Sequence, residues 1–502
     1  MAYQSSCTNL IVNGELSQHI QVLSSVRQGC PLSPLLFALF LEPLCRKIVN
    51  STEIRGFKIQ SCEVRVLAYA DDVALFAEDR ESVSALLRIT ERFCEKSGSE
   101  INKQKCIGHW HGHWSATPGV FENIRWLTTP SSYLGVPLDG YRESESLWLE
   151  KTDEMRAMAD AWGGRELSIF ARATICNVFL AAKIMYLLQA LYCTRKHIQK
   201  FHRIFATFIW CSTWERTSRT NLFRRVKKGG LSVCHLFLQQ VVSRFILIRD
   251  ERDPFLCSFF QTMLAVSMPD FFVSSAIGPH YTISRFLREV VTSYRFLRAR
   301  FSLEYLSNVK RKRLMKDLTE SVFPVPLYRL MFQEGPGQDV LKRVKNMWIS
   351  ANVKTFFFKL HTGTLPVKTW LEERGIYVPW GSRCFLCNKA ETIEHVFINC
   401  NNAIFFWDIL QRTLKIDIPL NPHGIRFLPP EHDFDQMDVI FLLGMHAVWR
   451  SLLAYRHCDV KGRSVYEYFV EMVVKVRDVY KTKDCDEAVV SMLDTLTHIK
   501  RV

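Results

Sequence analysis

Val66-Leu67-Ala68-Tyr69-Ala70-Asp71-Asp72-Val73-Ala74-Leu75-Phe76-Ala77 sets two adjacent carboxylates between two apolar, β-prone runs. The flanks, Val64 to Ala70 and Val73 to Ala77, are each of strand length, and a tight turn between them predicts a hairpin with both charges at its tip. Charges placed beside buried strands are costly unless something compensates them, and a bound cation is the usual compensation. Mg²⁺ is held by one or two carboxylates plus substrate phosphates, and polymerase sites use two such ions. The competing reading of an isolated Asp-Asp pair is a solvated acidic turn.

Upstream lies Ser25-Val26-Arg27-Gln28-Gly29-Cys30-Pro31-Leu32-Ser33-Pro34-Leu35-Leu36-Phe37. Ser33 is a candidate helix cap, with Pro34 opening the helix. Gly29 lets backbone approach a ligand closely. An Arg-Gln-Gly stretch leading into a helix suits a phosphate or a base. Arg27 to Pro34 resembles the RQGxPLSP motif, and Tyr69 to Asp72 the YADD box, of the reverse transcriptases of non-LTR (LINE-type) retrotransposons. Arg55-Gly56-Phe57 falls between them in family order. Ser97 to Lys105 resembles the SGLxxNxxK segment, Tyr133 to Leu138 the YLGVxL segment that closes the palm, and Lys228 to Leu231 the GGL turn of the thumb region. The last two read as packing, not chemistry.

The resemblance implies RNA-templated DNA synthesis, with RNA template, DNA primer or target, dNTP and Mg²⁺ as partners. It assigns Asp71 to metal ligation and Asp72 to assisting it or shaping the turn. Arg27, Gln28, Gly29, Tyr69 and Lys103 fall to template or nucleotide contact. The family also uses an aspartate upstream of the RQG segment, and this sequence has none before Asp71. The fingers and the first metal-binding strand are therefore expected to be missing, from a late start or a decayed copy. The metal site would be incomplete and catalysis impaired. Whether the chain is an enzyme is open at this stage. A non-catalytic nucleic-acid-binding remnant is the alternative, and a zinc-stabilised protein-interaction module a third.

A second signal lies far downstream. Cys384-x2-Cys387-x7-His395-x4-Cys400 has the ligand set and spacing of a closed tetrahedral Zn²⁺ site. Four protein ligands leave no open position, so this zinc would be structural. Trp348 to Gly375 before it, Glu391 to Phe397 within it and Trp407 after it resemble the zinc-binding domain that follows these reverse transcriptases. The alternating histidines of His109-Trp110-His111-Gly112-His113-Trp114 lack a cysteine or carboxylate beside them, so they read as a connection between palm segments.

The 502 residues carry a formal net charge of +15, which favours a phosphate-bearing partner without proving one. The basic runs Arg224 to Lys228 and Lys310 to Arg313 could track a phosphate backbone or be solvated helix faces. Tyr294 to Arg300 interleaves aromatics with arginines and reads as packing. Apolar residues recur at helical spacing over Ile175 to Cys193 and Ile198 to Trp210. No uninterrupted apolar run is long enough for a bilayer, and no secretory signal is evident. Sixteen irregularly spread cysteines suit a reduced, intracellular protein of the nucleus or cytoplasm, not a secreted disulfide scaffold. The expected fold is α+β: a partial polymerase palm (1–140), a helical thumb-like region (141–245), a helical connector (246–340), a zinc-binding domain (341–420) and a helical tail (421–502). A linker is expected over Gln333 to Gln338.

Overall fold

The computed structural model describes residues 7–22, 29–114, 119–127, 131–138, 141–272, 282–330, 340–379, 381–418, 420–428, 435–457, 463–483 and 487–499. The linker expected at 333–338 lies outside them. The fold is α+β and divides into two units, Met1–Glu143 with Ile246–Val291, and Ser144–Phe245 with Thr292–Val502. Every described strand belongs to the first unit; the second is helical apart from one bridge between Arg383 and Ala390.

In the first unit, helix Ser33–Val49 carries Pro34 in its first turn, where the missing N–H is not needed. Leu32, not Ser33, takes the cap position, and it makes no side-chain cap bond; Ser33 is already inside the helix and buried. The other end is closed by Arg65, whose guanidinium donates to the carbonyls of Val49 (2.8 Å) and Ser51 (2.5 Å). Val49 supplies one of the C-terminal carbonyls that a helix leaves without partners, and Ser51 lies just beyond the cap.

Pinning Arg65 there splits the run expected to be one strand. Cys62–Val64 pairs antiparallel with Phe57–Ile59, and a separate strand Val66–Tyr69 pairs with Asp72–Leu75. Gly56 is required by contact: a Cβ there would overlap the Val64 carbonyl. Helix Arg80–Ser97 starts on Asp79, which accepts from the Ser82 N–H at 2.7 Å and pairs with Arg55 at 2.6 Å. Burial raises the Asp79 carboxyl, but the Ser82 bonds and the Arg55 charge outweigh it and hold the group below its usual range.

Leu44 and Ile48 of the first helix meet Ala85 and Leu86 of the second over Ile54, with Val66 and Leu75 of the hairpin against them. Each fully buried aliphatic side chain contributes roughly 1.5–3 kcal/mol, so this small core is what fixes the hairpin to the helices. Helix Pro254–Leu264 returns to the same unit. Gln60 donates to Thr262 Oγ1 (2.8 Å), and the Phe57 and Phe255 rings lie 5.9 Å apart.

The second unit satisfies its helix ends with buried arginines. Arg244 is fully buried and donates to the carbonyls of Gln189 and Leu191, both at 2.6 Å. Arg172 reaches the carbonyls of Phe208 (3.3 Å) and Gly163 (3.4 Å). The glycines of the Lys228–Leu231 turn are structural, since a Cβ at Gly230 would overlap the Arg224 carbonyl. The basic runs are partly engaged within the unit: Arg225 pairs with Glu320 at 3.1 Å, and Arg311 donates to Ser243 at 2.8 Å.

One helical stretch, Met437–His457, is long and apolar enough to cross a membrane by length and composition, although Asp438 and Arg450 interrupt its apolar run. Within the unit 83% of its window is buried, so here it serves as a core helix. Gly444 lets it pass the Trp407 ring, which a Cβ would meet at 2.7 Å. Three buried histidines stay neutral in this core. Burial pushes His202 down to about 2, His361 to about 3 and His446 to about 4. All fourteen described cysteines are free thiols.

Candidate functional site

The hairpin register sets Tyr69 opposite Asp72, leaving Ala70 and Asp71 as the two-residue turn. Ala70 adopts φ +51°, a conformation costly for a residue with a side chain and concentrated at functional turns. Asp71 and Asp72 are both exposed, as is Tyr69 at 67%. Neither carboxylate is ion-paired among the described residues. The sequence argument for a cation, that buried charges need compensation, therefore does not apply, because the tip is solvated. What the tip offers is two adjacent, unengaged carboxylates on a hairpin anchored to a helical core, a hard-oxygen donor set suited to Mg²⁺.

The Tyr133 hydroxyl donates to the Asp72 carbonyl at 3.4 Å, so the segment resembling YLGV meets this hairpin. Its own turn, Leu134-Gly135, has φ of +50° and +75°, which calls for glycine at the second position. Gly29 adopts φ +82° with nothing near its missing Cβ, so among protein atoms its need for glycine is conformational. Arg27 and Gln28 lie outside the described residues. Lys103 pairs with Glu91 at 2.6 Å on an exposed surface, which raises the lysine's pKa. Trp110 stacks on Trp126 at 4.0 Å, and the Arg80 guanidinium sits 5.7 Å from the Trp110 ring, making the histidine-tryptophan segment a packed aromatic corner.

The second site is assembled in the other unit. The ligand atoms of Cys384, Cys387, His395 and Cys400 lie within 4.8 Å of one another, the one such group among the described residues. The Cys400 sulfur is 4.0 Å from that of Cys384 and 3.8 Å from that of Cys387. Disulfides require about 2.05 Å, whereas a tetrahedron with Zn–S near 2.3 Å puts its sulfurs about 3.8 Å apart. His395 Nε2 is buried with no hydrogen-bond partner, as an imidazole aimed at a metal would be. Burial lowers the His395 pKa, with Lys389 adding, and so favours the neutral form that ligates. Burial raises the Cys400 thiol, and the neighbouring cysteines raise it further. Cys400 is therefore hard to ionise without a cation beside it.

The local fold explains the convergence. Asn388 turns at φ +52°, and its N–H returns to the Cys384 carbonyl at 3.0 Å, closing the knuckle. Cys400 caps helix Asn401–Leu414, and the Trp407 indole donates to the Phe397 carbonyl at 2.8 Å, holding the His395 turn. Sequence reasoning missed the support beneath. Lys368, 1% exposed, donates through Nζ to the Arg383 carbonyl at 2.7 Å and lies 3.6 Å from the Phe385 ring centroid. Fully buried Glu391 accepts from the Lys368 N–H (3.0 Å) and pairs with Arg456. Glu391 was visible within Glu391 to His395; nothing in sequence linked it to residues 23 positions before and 65 after.

Residues 2–138 match the family described as "Reverse transcriptase (RNA-dependent DNA polymerase)", and residues 325–407 match "zinc-binding in reverse transcriptase". The chain thus carries a reverse-transcriptase segment followed by a reverse-transcriptase zinc-binding segment. It is 30% identical over 260 residues, 49% of its length, to a Xenopus laevis protein named "Transposon TX1 uncharacterized 149 kDa protein". Over 104 residues, 21% of its length, it is 36% identical to a "Retrovirus-related Pol polyprotein from type-1 retrotransposable element R2" of Nasonia vitripennis. A type-2 R2DM polyprotein of Drosophila melanogaster is 36% identical over 105 residues, again 21% of the chain. The chain spans 19% of the first relative and 10% of the other two. Both matched segments and these retrotransposable-element relatives are consistent with a LINE-type, non-LTR reverse transcriptase.

Proposed function

We propose that this chain contributes to RNA-templated DNA synthesis, with an RNA template, a DNA primer or target and dNTP as its substrates. The observation that carries this is the solvated Asp71-Asp72 tip on a hairpin docked to helix Ser33–Val49, within the segment that matches reverse transcriptases. Asp71 would hold Mg²⁺ and Asp72 assist it, while the Tyr133 contact and the small core fix the turn. When bound, Mg²⁺ stabilises the attacking and leaving oxygens of phosphoryl transfer. Gln28, Gly29 and Tyr69 are proposed to face template or nucleotide. Zinc at Cys384, Cys387, His395 and Cys400 holds the knuckle and takes no part in the chemistry.

These 502 residues hold no aspartate before Asp71, and Asp79 is committed to Ser82 and Arg55. The site within them therefore rests on one carboxylate pair, and this chain alone is expected to polymerise weakly. The alternative reading is a non-catalytic nucleic-acid-binding remnant, which the net charge of +15 supports. Both readings predict binding of single-stranded RNA or DNA that weakens steeply as salt rises from about 50 to 200 mM. Affinity that stays flat across that range contradicts phosphate neutralisation. Absence of binding at every salt concentration points to a protein-interaction module instead.

A further inference from the structure

A cluster in the second unit, apart from both sites above, brings the turn after helix Arg195–Trp210 onto helix Lys368–Glu372, with Lys359 of helix Ala351–His361 close enough to feel its charge. Two cations meet in it. Lys359 is largely buried, and burial together with the neighbouring Arg216 charge pushes its ammonium down to about 8. Arg216 Nη1 is itself buried with no hydrogen-bond partner. The adjacent acid cannot serve, because Glu215 is held by Arg203 at 2.6 Å and Arg219 at 3.0 Å. Apposed, partly desolvated cations without an acid between them cost folding energy. An anion from outside the chain would remove that cost.

Aromatic rings lie against the same cations. The Arg216 guanidinium sits 5.3 Å from the Trp214 ring, and Trp214 lies 5.5 Å from Trp370. Arg374 covers Trp370 at 4.4 Å, and the Trp370 indole N–H is buried without an acceptor. Trp214 is 39% exposed, which leaves part of the ring open to a ligand.

We propose that this cluster binds a phosphodiester of single-stranded nucleic acid, with Arg216 and Lys359 on the phosphate and Trp214 stacked on an adjacent base. The proposal rests on the nucleic-acid reading above and names one place where contact is made. Cations beside the partly exposed Trp214 face match a strand whose charged backbone alternates with aromatic bases. A peptide carboxylate would use the cations and leave the indoles idle.

The test is fluorescence anisotropy of the full chain with a labelled 16-nucleotide oligo(dT) between about 50 and 200 mM salt. The double variant Arg216→Gln/Lys359→Gln should bind about tenfold more weakly and reduce the log–log salt slope by about 0.7, one single-strand phosphate. Trp214→Ala should bind about fivefold more weakly or worse. Zinc content and thermal midpoint should not fall in the double variant, since it removes a repulsive pair. Lys359→Met, which keeps the buried volume, should lower the slope by about half as much and serves if the double variant does not fold. An unchanged slope in folded variants, beside normal wild-type binding, overturns the site and leaves the nucleic-acid reading standing. Polyglutamate that binds the wild type as tightly as oligo(dT) and is equally weakened by the substitutions assigns the cluster to acidic peptides and overturns it as well. A wild-type chain that binds no oligonucleotide at any salt overturns both.

Discussion

Cys387→Ser releases the zinc and unfolds the knuckle over residues 381–391, while the first unit stays folded. The knuckle exposes Phe385 and Leu386 by about half each, so it has little apolar burial of its own. The metal must supply what burial does not, and structural zinc carries on the order of 10 kcal/mol in small domains. His395 and Cys400, by contrast, are seated beside Phe397, Ala403 and Trp407, all buried. Loosening should therefore concentrate before residue 392, and hydrogen exchange reads that difference directly. Purified wild-type chain should hold one zinc under reducing conditions. A stoichiometry near zero, or one unchanged in the variant, removes this site from the account.

The second large effect is acid destabilisation of the helical unit. His202, His361 and His446 have folded values near 2, 3 and 4, against about 6.5 when unfolded. Below pH 6.5 the unfolded chain binds protons that the folded chain refuses, so stability falls as pH falls. The loss runs at about 1.4 kcal/mol per pH unit for each histidine. From pH 6.5 to 5, where the unfolded rings go from half to almost fully protonated, the three together lose about 5 kcal/mol, a large part of a domain's stability. Urea unfolding followed at both values measures it. Acid also strips zinc, so His446→Leu supplies the control. It removes one titration at a residue that is not a zinc ligand and should recover about a third of the loss from these three. Equal stability at the two pH values would show that these rings are not held neutral.

The sequence carries the two sites unequally. The hairpin is legible because apolar runs flank a charged pair, and the zinc ligands because their spacing is short and their chemistry narrow. The strand limits were not legible. Val64 reads as continuous with Tyr69 until Arg65 is seen bonding the end of helix Ser33–Val49, a contact 16 residues away in sequence. Ser33 reads as a cap, yet the helix begins on Leu32, one residue earlier. The network of Lys368, Glu391 and Arg456 was hidden for the same reason: each reads singly as a surface charge, and only the fold brings them together under the knuckle. Exposure of the aspartate tip also had to be seen, because strand-like flanks imply burial that this hairpin does not have.

The claim that Asp71 lies at the heart of a polymerase site is tested most directly by primer extension on poly(rA)/oligo(dT) with Mg²⁺, comparing the wild-type chain with Asp71→Ala. These 502 residues should extend the primer slowly, and the variant about a hundredfold more slowly still or worse, since misplacing one group by an ångström can cost that much. Robust extension that survives Asp71→Ala would contradict it.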